Sequence, residues 1–262
     1  MKGWPLGLVV PLQDPTPFSP FAPTEWREAL RQVAESGYEG VEFAITDPVR
    51  VDMDKVAEAL ERERLRLLAL ATGQALEKER LSLSAPDDRV RERAVQRIKG
   101  HMRFAKRFGA VVIIGTLRGI VGDKTLLVES LRECASFDFS VKITLEPLNR
   151  YESRLVNTVS EALEVIECIG KDNVGLHLDT FHANIEEPKV GDAFRIAGER
   201  LFHVDLADSN RWVPGYGHLD FKEVWTALEA IDYRGGLVIE CIPKPDKRAL
   251  LSAAQKIRTQ WT

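Results

Sequence analysis

Acidic residues recur in this sequence at the ends of apolar runs. Glu146 closes VKITLE, Asp179 closes VGLHLD, Asp205 lies inside LFHVDLA and Glu240 closes GLVIE, while an earlier run, YEGVEFA, carries Glu42. Carboxylates brought together repel one another, and burial raises their pKa values by disfavouring the charged form. A divalent cation relieves both penalties, because it takes carboxylate oxygen and imidazole nitrogen as ligands. The chemistry this predicts is activation of an oxygenated small molecule, with an ion polarising substrate oxygens and stabilising the charge left when a proton departs. Any one of these acids read alone is a helix cap or a surface ion pair. Their recurrence on four consecutive runs points to a metal site. The following segments supply polar partners: Glu152 after Glu146, His182 after Asp179 and Arg211 after Asp205. Read singly, His182 is a structural histidine and Arg211 a surface cation.

Such side chains need a scaffold that delivers strand ends to one place. Within 201–207, Phe202, Val204 and Leu206 alternate with His203, Asp205 and Ala207, the period of two of a strand, so His203 and Asp205 share a face. Strand candidates LGLVV (6–10), YEGVEFA (38–44), RLLALA (66–71), AVVIIG (110–115), VKITLE (141–146), VGLHLD (174–179), LFHVDLA (201–207) and GLVIE (236–240) alternate with amphipathic stretches. The helical stretches include 24–36, 52–65, 87–108, 160–170, 221–231 and 246–261. Strand–helix units of roughly 30 residues, eight times over, predict an α/β fold, a closed (β/α)8 TIM barrel, as a single domain over 1–262. No GxGxxG follows the first run, which argues against a dinucleotide-binding sheet. In a barrel, functional side chains come from the C-terminal strand ends and the loops after them, where these acids lie.

Several other stretches carry expectations. PLQDPTPFSPFAP (11–23) is placed to form an apolar lid with Phe18 and Phe21 facing substrate, or else to pack on the surface. Arg118, in GTLRG after the fourth strand, is placed to meet a phosphate. Asp220 and Glu223 are spaced as a capping box for the helix at 221–231. Arg89, Arg93 and Arg97 form a helical stripe interspersed with Asp87, Asp88 and Glu92, which reads as a solvated face.

A net charge of −4 with 44% apolar residues suits a globular chain and argues against a nucleic-acid partner. Cys134, Cys168 and Cys241, without CxxC spacing, read as buried thiols in a reducing compartment. The apolar start is short for a signal peptide and no later run is long enough to span a bilayer, so a cytoplasmic location and no membrane partner are expected.

Four stretches, EPLNRYE (146–152), HLDTFH (177–182), DLADSNRWVPGYGHLDF (205–221) and VIE (238–240), together carry a specific likeness. The chain resembles the sugar isomerase/epimerase superfamily with the xylose-isomerase-like barrel, and most of all its D-tagatose 3-epimerase and D-psicose 3-epimerase group. The first half matches in layout only, including YEGVEFA and ATGQA (71–75). The resemblance implies one divalent ion, Mn2+ foremost and Mg2+ or Co2+ as alternatives, held by a Glu, an Asp, a His and a second Glu. In this sequence that places Glu146, Asp179 and Glu240 in the ligand set. It further implies that Glu146 and Glu240 act as an acid–base pair on opposite faces of a ketose C3, through an enediolate. Glu152, His182 and Arg211 would then bind the substrate carbonyl and hydroxyls. The implied partner is a small-molecule sugar or sugar phosphate, and family members commonly form homo-oligomers. Inosose dehydratase and hydroxypyruvate isomerase chemistry stay open on the same site. A nuclease of the endonuclease IV type shares the barrel but gathers several histidines around zinc, and this chain has five in all.

One position departs from the family pattern. Where the motif HVHxxxxxR has its second histidine, this chain reads HVDLADSNR, so Asp205 stands at the ligand position and His203 is retained. Three readings follow. Asp205 coordinates the ion as an oxygen ligand, making four carboxylates and a net charge of about −2 around a 2+ ion. Alternatively His203 assists from about 6–7 Å deeper along the strand. In the third, the barrel binds sugar with weak catalysis or none.

Overall fold

A computed structural model describes residues 3–260. The expected strands form, as β1 (Leu6–Pro11), β2 (Gly40–Ala44), β3 (Arg66–Ala71), β4 (Val111–Ile114), β5 (Ile143–Leu145), β6 (Val174–Asp179), β7 (Leu201–Leu206) and β8 (Leu237–Ile239). Each pairs in parallel with the next, and β8 closes on β1 through Leu6, Gly7 and Leu8, so the (β/α)8 barrel is complete. Strands β5 and β8 are shorter than the sequence suggests. Glu146 and Glu240 therefore fall one residue beyond the last residue of their strands, at the C-terminal rim.

The helices are α1 (Trp26–Glu35), α2 (Met53–Glu63), α3 (Gln74–Glu79), α4 (Asp88–Phe108), α5 (Lys124–Phe137), α6 (Val159–Ile169), α7 (Thr180–Glu186), α8 (Val190–Ala197), α9 (Phe221–Ala230) and α10 (Lys247–Gln260). Residue 261 of the expected last helix lies outside the described residues. Local chemistry sets many of the boundaries. Asp87 accepts from Arg89 N to start α4, and Gly109 ends that helix with a left-handed φ of 67°. Thr158 and Glu161 form a capping box on α6. Asp220 caps α9 by accepting from Lys222 N, as its position suggested, but the expected capping box does not form, since the Glu223 side chain lies against Gly191 of α8.

The barrel interior changes character along its axis. At the N-terminal end, Gly7, Gly40 and Gly236 all face Leu68, and a Cβ at Gly40 would lie 2.7 Å from Leu68 Cγ, so the missing side chains make room for this plug. Further along, Val204 and Leu206 of β7 join the apolar layer under the helices. His203 and Asp205 point the other way, and His203 reaches Glu42 of β2 across the barrel at 3.1 Å. The alternation in 201–207 is thus the division between helix-facing and axis-facing sides.

Several expectations are corrected. Arg118 meets no phosphate: it is fully buried and donates to the backbone carbonyls of Glu146, Leu155 and Val156. It ties the loop after β5 to the barrel. Cys168 is exposed, unlike Cys134 and Cys241, because it lies on the outward side of α6. Arg97 leaves the solvated stripe, pairing with Glu79 at 2.7 Å and donating to Thr46 O. Of the two lid aromatics, Phe18 reaches the mouth, whereas Phe21 is buried with Lys247 over its ring.

Replacing Arg118 by Ala takes the guanidinium donor from Glu146 O and one donor each from Leu155 O and Val156 O, which keep Ser153 Oγ and Leu148 N. With one buried acceptor unmet and two left with a single donor, Arg118→Ala should cost about 2–3 kcal/mol of stability, read as a lower urea midpoint in equilibrium unfolding. An unchanged midpoint would show that the loop does not depend on this guanidinium.

Candidate active site

Four strand ends converge on the C-terminal mouth. Glu146 emerges from β5 beside Gly115, where a Cβ would stand 2.7 Å from Glu146 Oε2, so glycine there leaves space for the carboxylate. Asp179 ends β6 and caps α7, with Oδ1 accepting from Phe181 N at 2.8 Å. Its Oδ2 is turned inward, 3.6 Å from His182 Nε2 and 3.9 Å from Arg211 Nη2. Glu240 follows β8 and lies 3.4 Å from Arg211 Nη2. Asp205, on β7, is deeper, with Oδ2 3.0 Å from His177 Nε2 and Oδ1 3.2 Å from His203 Nε2.

Arg211 is the cation of this mouth. It donates to Glu152 Oε1 at 2.5 Å and lies over the rings of Phe18 and Phe181, at 4.1 and 5.0 Å from their centroids. The aromatic faces favour the guanidinium and hold its plane. Glu152 is positioned in turn by Asn149 Nδ2 at 3.0 Å. The tautomer of His182 follows from its neighbours: Asn149 N donates to Nδ1 at 3.2 Å, and a backbone amide only donates. The ring proton therefore sits on Nε2, which faces Glu146 and Asp179.

The electrostatics follow from burial. Burial raises the Glu146 carboxyl well above its ordinary range, and the charges of Glu240, Asp179 and Asp205 raise it further. Glu240 is raised well above the ordinary range by burial and by Asp205, against the opposing pull of Arg211. Burial lifts Asp179 to about 7, although Arg211 opposes it. Glu42, buried and beside Asp205, also stands at about 7. Burial alone would lower His203, but contacts with Asp205 and Glu42 outweigh it and bring the imidazole to about 9. Asp205 is the exception: burial opposes ionisation, yet His177 and His203 hold it below the usual carboxylate range. The deep pair of Asp205 and His203 is therefore ionic, while the acids at the rim resist ionisation.

These residues fit a divalent ion. Among the described residues, Glu42 Oε1, Asp179 Oδ2, Asp205 Oδ1, His182 Nε2 and both nitrogens of His177 are buried without a hydrogen-bond partner. Buried polar atoms are ordinarily satisfied, so such a concentration calls for a ligand. Potential ligand atoms gather in three sets, the last two sharing Asp205: Glu146, Asp179 and His182; Glu42, Asp205 and Glu240; and His177, His203 and Asp205. Beside them opens a cavity of about 590 Å3, lined also by Phe18, Thr72, Gln74 and Thr116. That size suits a small-molecule ligand.

All seven residues singled out from the sequence, Glu146, Glu152, Asp179, His182, Asp205, Arg211 and Glu240, belong to this one assembly. His203 lies beneath it, clasped by Glu42 and Asp205. His177 was missed. It stands two residues before Asp179 on the same strand, so the period of two already put it on the same face.

Comparison with known proteins agrees. The family described as "Xylose isomerase-like TIM barrel" matches residues 30–260. The chain belongs to this family. An L-ribulose 3-epimerase of Mesorhizobium japonicum is 31% identical over 231 residues, spanning 84% of this chain and 76% of that protein. A D-psicose 3-epimerase of Enterocloster bolteae is 44% identical over 121 residues, covering 45% of this chain and 40% of the relative. The structure of a D-psicose 3-epimerase with D-tagatose from Clostridium cellulolyticum superposes with a TM-score of 0.82 at 25% identity, covering 98% of this chain and 97% of that one. Within this xylose isomerase-like barrel, no described helix is long and apolar enough to cross a membrane.

Raised carboxyl pKa values set the pH dependence of ion binding. A proton on Asp179, whose pKa stands at about 7, competes with a cation for the same oxygen, so affinity must rise as pH climbs through that value. Calorimetric titration of Mn2+ should show binding at least about tenfold tighter at pH 7.5 than at pH 5.5, with proton release. Equal affinity at both values would contradict the assignment.

Proposed function

We propose that this protein is a divalent-metal-dependent ketose 3-epimerase that removes a proton from the carbon beside the ketone and returns one on the other face. The observation that carries this reading is the pair Glu146 and Glu240. They lie one residue past β5 and β8, beside one cavity, and both have carboxyl groups that resist ionisation. A pair of carboxyls shifted in this way suits proton exchange, because one holds a proton to deliver while the other accepts one. Inversion needs a carboxyl on each face of the carbon.

The remaining side chains bind and orient. His182 offers its Nε2 proton to a substrate oxygen, and Arg211, fixed by Glu152 and two aromatic rings, provides positive charge near the carbonyl as negative charge develops. Phe18 covers the mouth and limits water. Glu146, Asp179 and Glu240 are the carboxylates that would hold the ion, Mn2+ foremost. When bound, that ion supplies Lewis acidity toward the substrate oxygens and offsets the charge of the cluster. The relatives named as psicose and ribulose 3-epimerases support a ketose substrate. With Arg118 committed to backbone carbonyls, the observation that favoured a sugar phosphate is gone, so an unphosphorylated ketose fits better.

The test is turnover in heavy water with Mn2+ and D-psicose, D-tagatose, D-fructose or L-ribulose. The epimer should carry deuterium at C3 while recovered substrate carries little, without loss of water. Glu146→Gln and Glu240→Gln should each lower kcat by about 10²–10⁴. Loss of water in place of epimerisation would support dehydratase chemistry, and binding without turnover would support the sugar-binding alternative.

A further inference from the structure

His177 is the unexplained group of the site. Its side chain is 1% exposed, and neither ring nitrogen has an aligned hydrogen bond, although both face carboxylates. Nε2 is 3.0 Å from Asp205 Oδ2, and Nδ1 is 3.6 Å from Glu146 Oε2. A neutral imidazole carries one proton. Placed on Nε2, it faces the nearer, ionised carboxylate of Asp205. Nδ1 is then a bare lone pair opposite a second oxygen that also only accepts when ionised. Two lone pairs facing one another in a buried site repel unless a proton on Glu146 or a cation lies between them; 3.6 Å is long for a hydrogen bond, whereas each ligand atom needs only about 2.1 Å to an ion between them.

The other three buried imidazoles are committed elsewhere. His182 accepts at Nδ1 from Asn149 and so carries its proton on the nitrogen facing the pocket. His203 bridges Glu42 and Asp205. His101 has both nitrogens on backbone carbonyls beneath α4.

We propose that His177 is the imidazole ligand of the divalent ion, binding through Nδ1 beside Glu146, and that Asp205 holds the back of the ring at Nε2 without coordinating the ion itself. The inference rests on the metal-dependent reading above and revises the role that sequence alone gave Asp205. The histidine that β7 lacks at position 205 is in effect supplied by the neighbouring strand. Residue 177 is the register partner of 203, and 179 that of 205, so His177 starts one inward-facing position below Asp205, and its ring spans the difference, with Nε2 on Asp205 and Nδ1 toward Glu146. A carboxylate behind a ligating imidazole fixes its tautomer and increases its basicity.

Pulsed electron paramagnetic resonance of the full chain loaded with Mn2+ tests this directly, because a coordinated imidazole gives ¹⁴N modulation whatever the activity. The native protein and His182→Gln should both show it. His177→Gln should lose it and bind Mn2+ at least about tenfold more weakly, whereas Asp205→Asn should keep it with affinity lowered about 10–100-fold. Mn2+ bound without ¹⁴N modulation in the native chain would overturn the assignment, as would modulation that survives His177→Gln or vanishes in His182→Gln. The native and His182→Gln spectra decide even where His177→Gln does not fold. A native chain that binds no Mn2+ would instead remove the metal-dependent reading on which this rests.

Discussion

Mutual repulsion among buried carboxylates is the constraint around which this barrel is arranged. Glu146, Asp179, Asp205 and Glu240 arrive on four neighbouring strands, and nearly all of their surface is removed from water. Ionising them together without a counter-charge is costly, since desolvation and like charge both oppose it. The fold supplies part of the compensation. Arg211 spans Glu152, Asp179 and Glu240, and His203 lies as an imidazolium between Asp205 and Glu42. In the proposed reading the rest falls to protons at low pH and to a divalent ion at higher pH. The same electrostatic discomfort would make the site ready to exchange protons in that reading.

The polar groups form a column. Linked by contact, Glu42, His203, Asp205, His177 and Glu146 alternate carboxylate with imidazole, at separations of 3.1, 3.2, 3.0 and 3.6 Å. The first contacts suit ionic pairing; the last is too long for a hydrogen bond and, once Glu146 ionises, sets two acceptors face to face, the arrangement that suits a cation. Glu42, His203 and Asp205 are buried, and Leu68 packs against Gly7, Gly40 and Gly236 at the N-terminal end of the barrel, so little water reaches the lower end of the column. Low local polarity strengthens every charge interaction within it and sharpens the consequence of leaving one unpaired.

Much of this was legible in the sequence because both determinants are local. A period of two in 201–207 separates helix-facing Val204 and Leu206 from axis-facing His203 and Asp205, and the acids at the run ends mark the rim. What escaped is pairwise and long-range. Arg118 reads as a free cation in GTLRG, yet its partners are carbonyls 28 to 38 positions away that are brought close only by the fold of the barrel. His177 was passed over inside a recognisable motif, because its significance depends on Asp205 of the next strand lying opposite. Phe21 and Phe18 are indistinguishable by type, and the backbone path of the loop alone sends one into the core and the other over Arg211.

Thermal unfolding of the metal-stripped chain, with and without excess Mn2+ at pH 7.5, is the most direct test of the central claim that a single cation resolves this charge conflict. Ion at 100 times its dissociation constant adds about 2.7 kcal/mol to the folded state, which for a chain of this size is a rise of about 5–10 °C in Tm. A rise of that order, lost when Glu146 and Asp179 are both replaced by their amides, is the result expected. A Tm indifferent to Mn2+ in the native chain would mean that the barrel accommodates its carboxylates without a cation, which contradicts that claim.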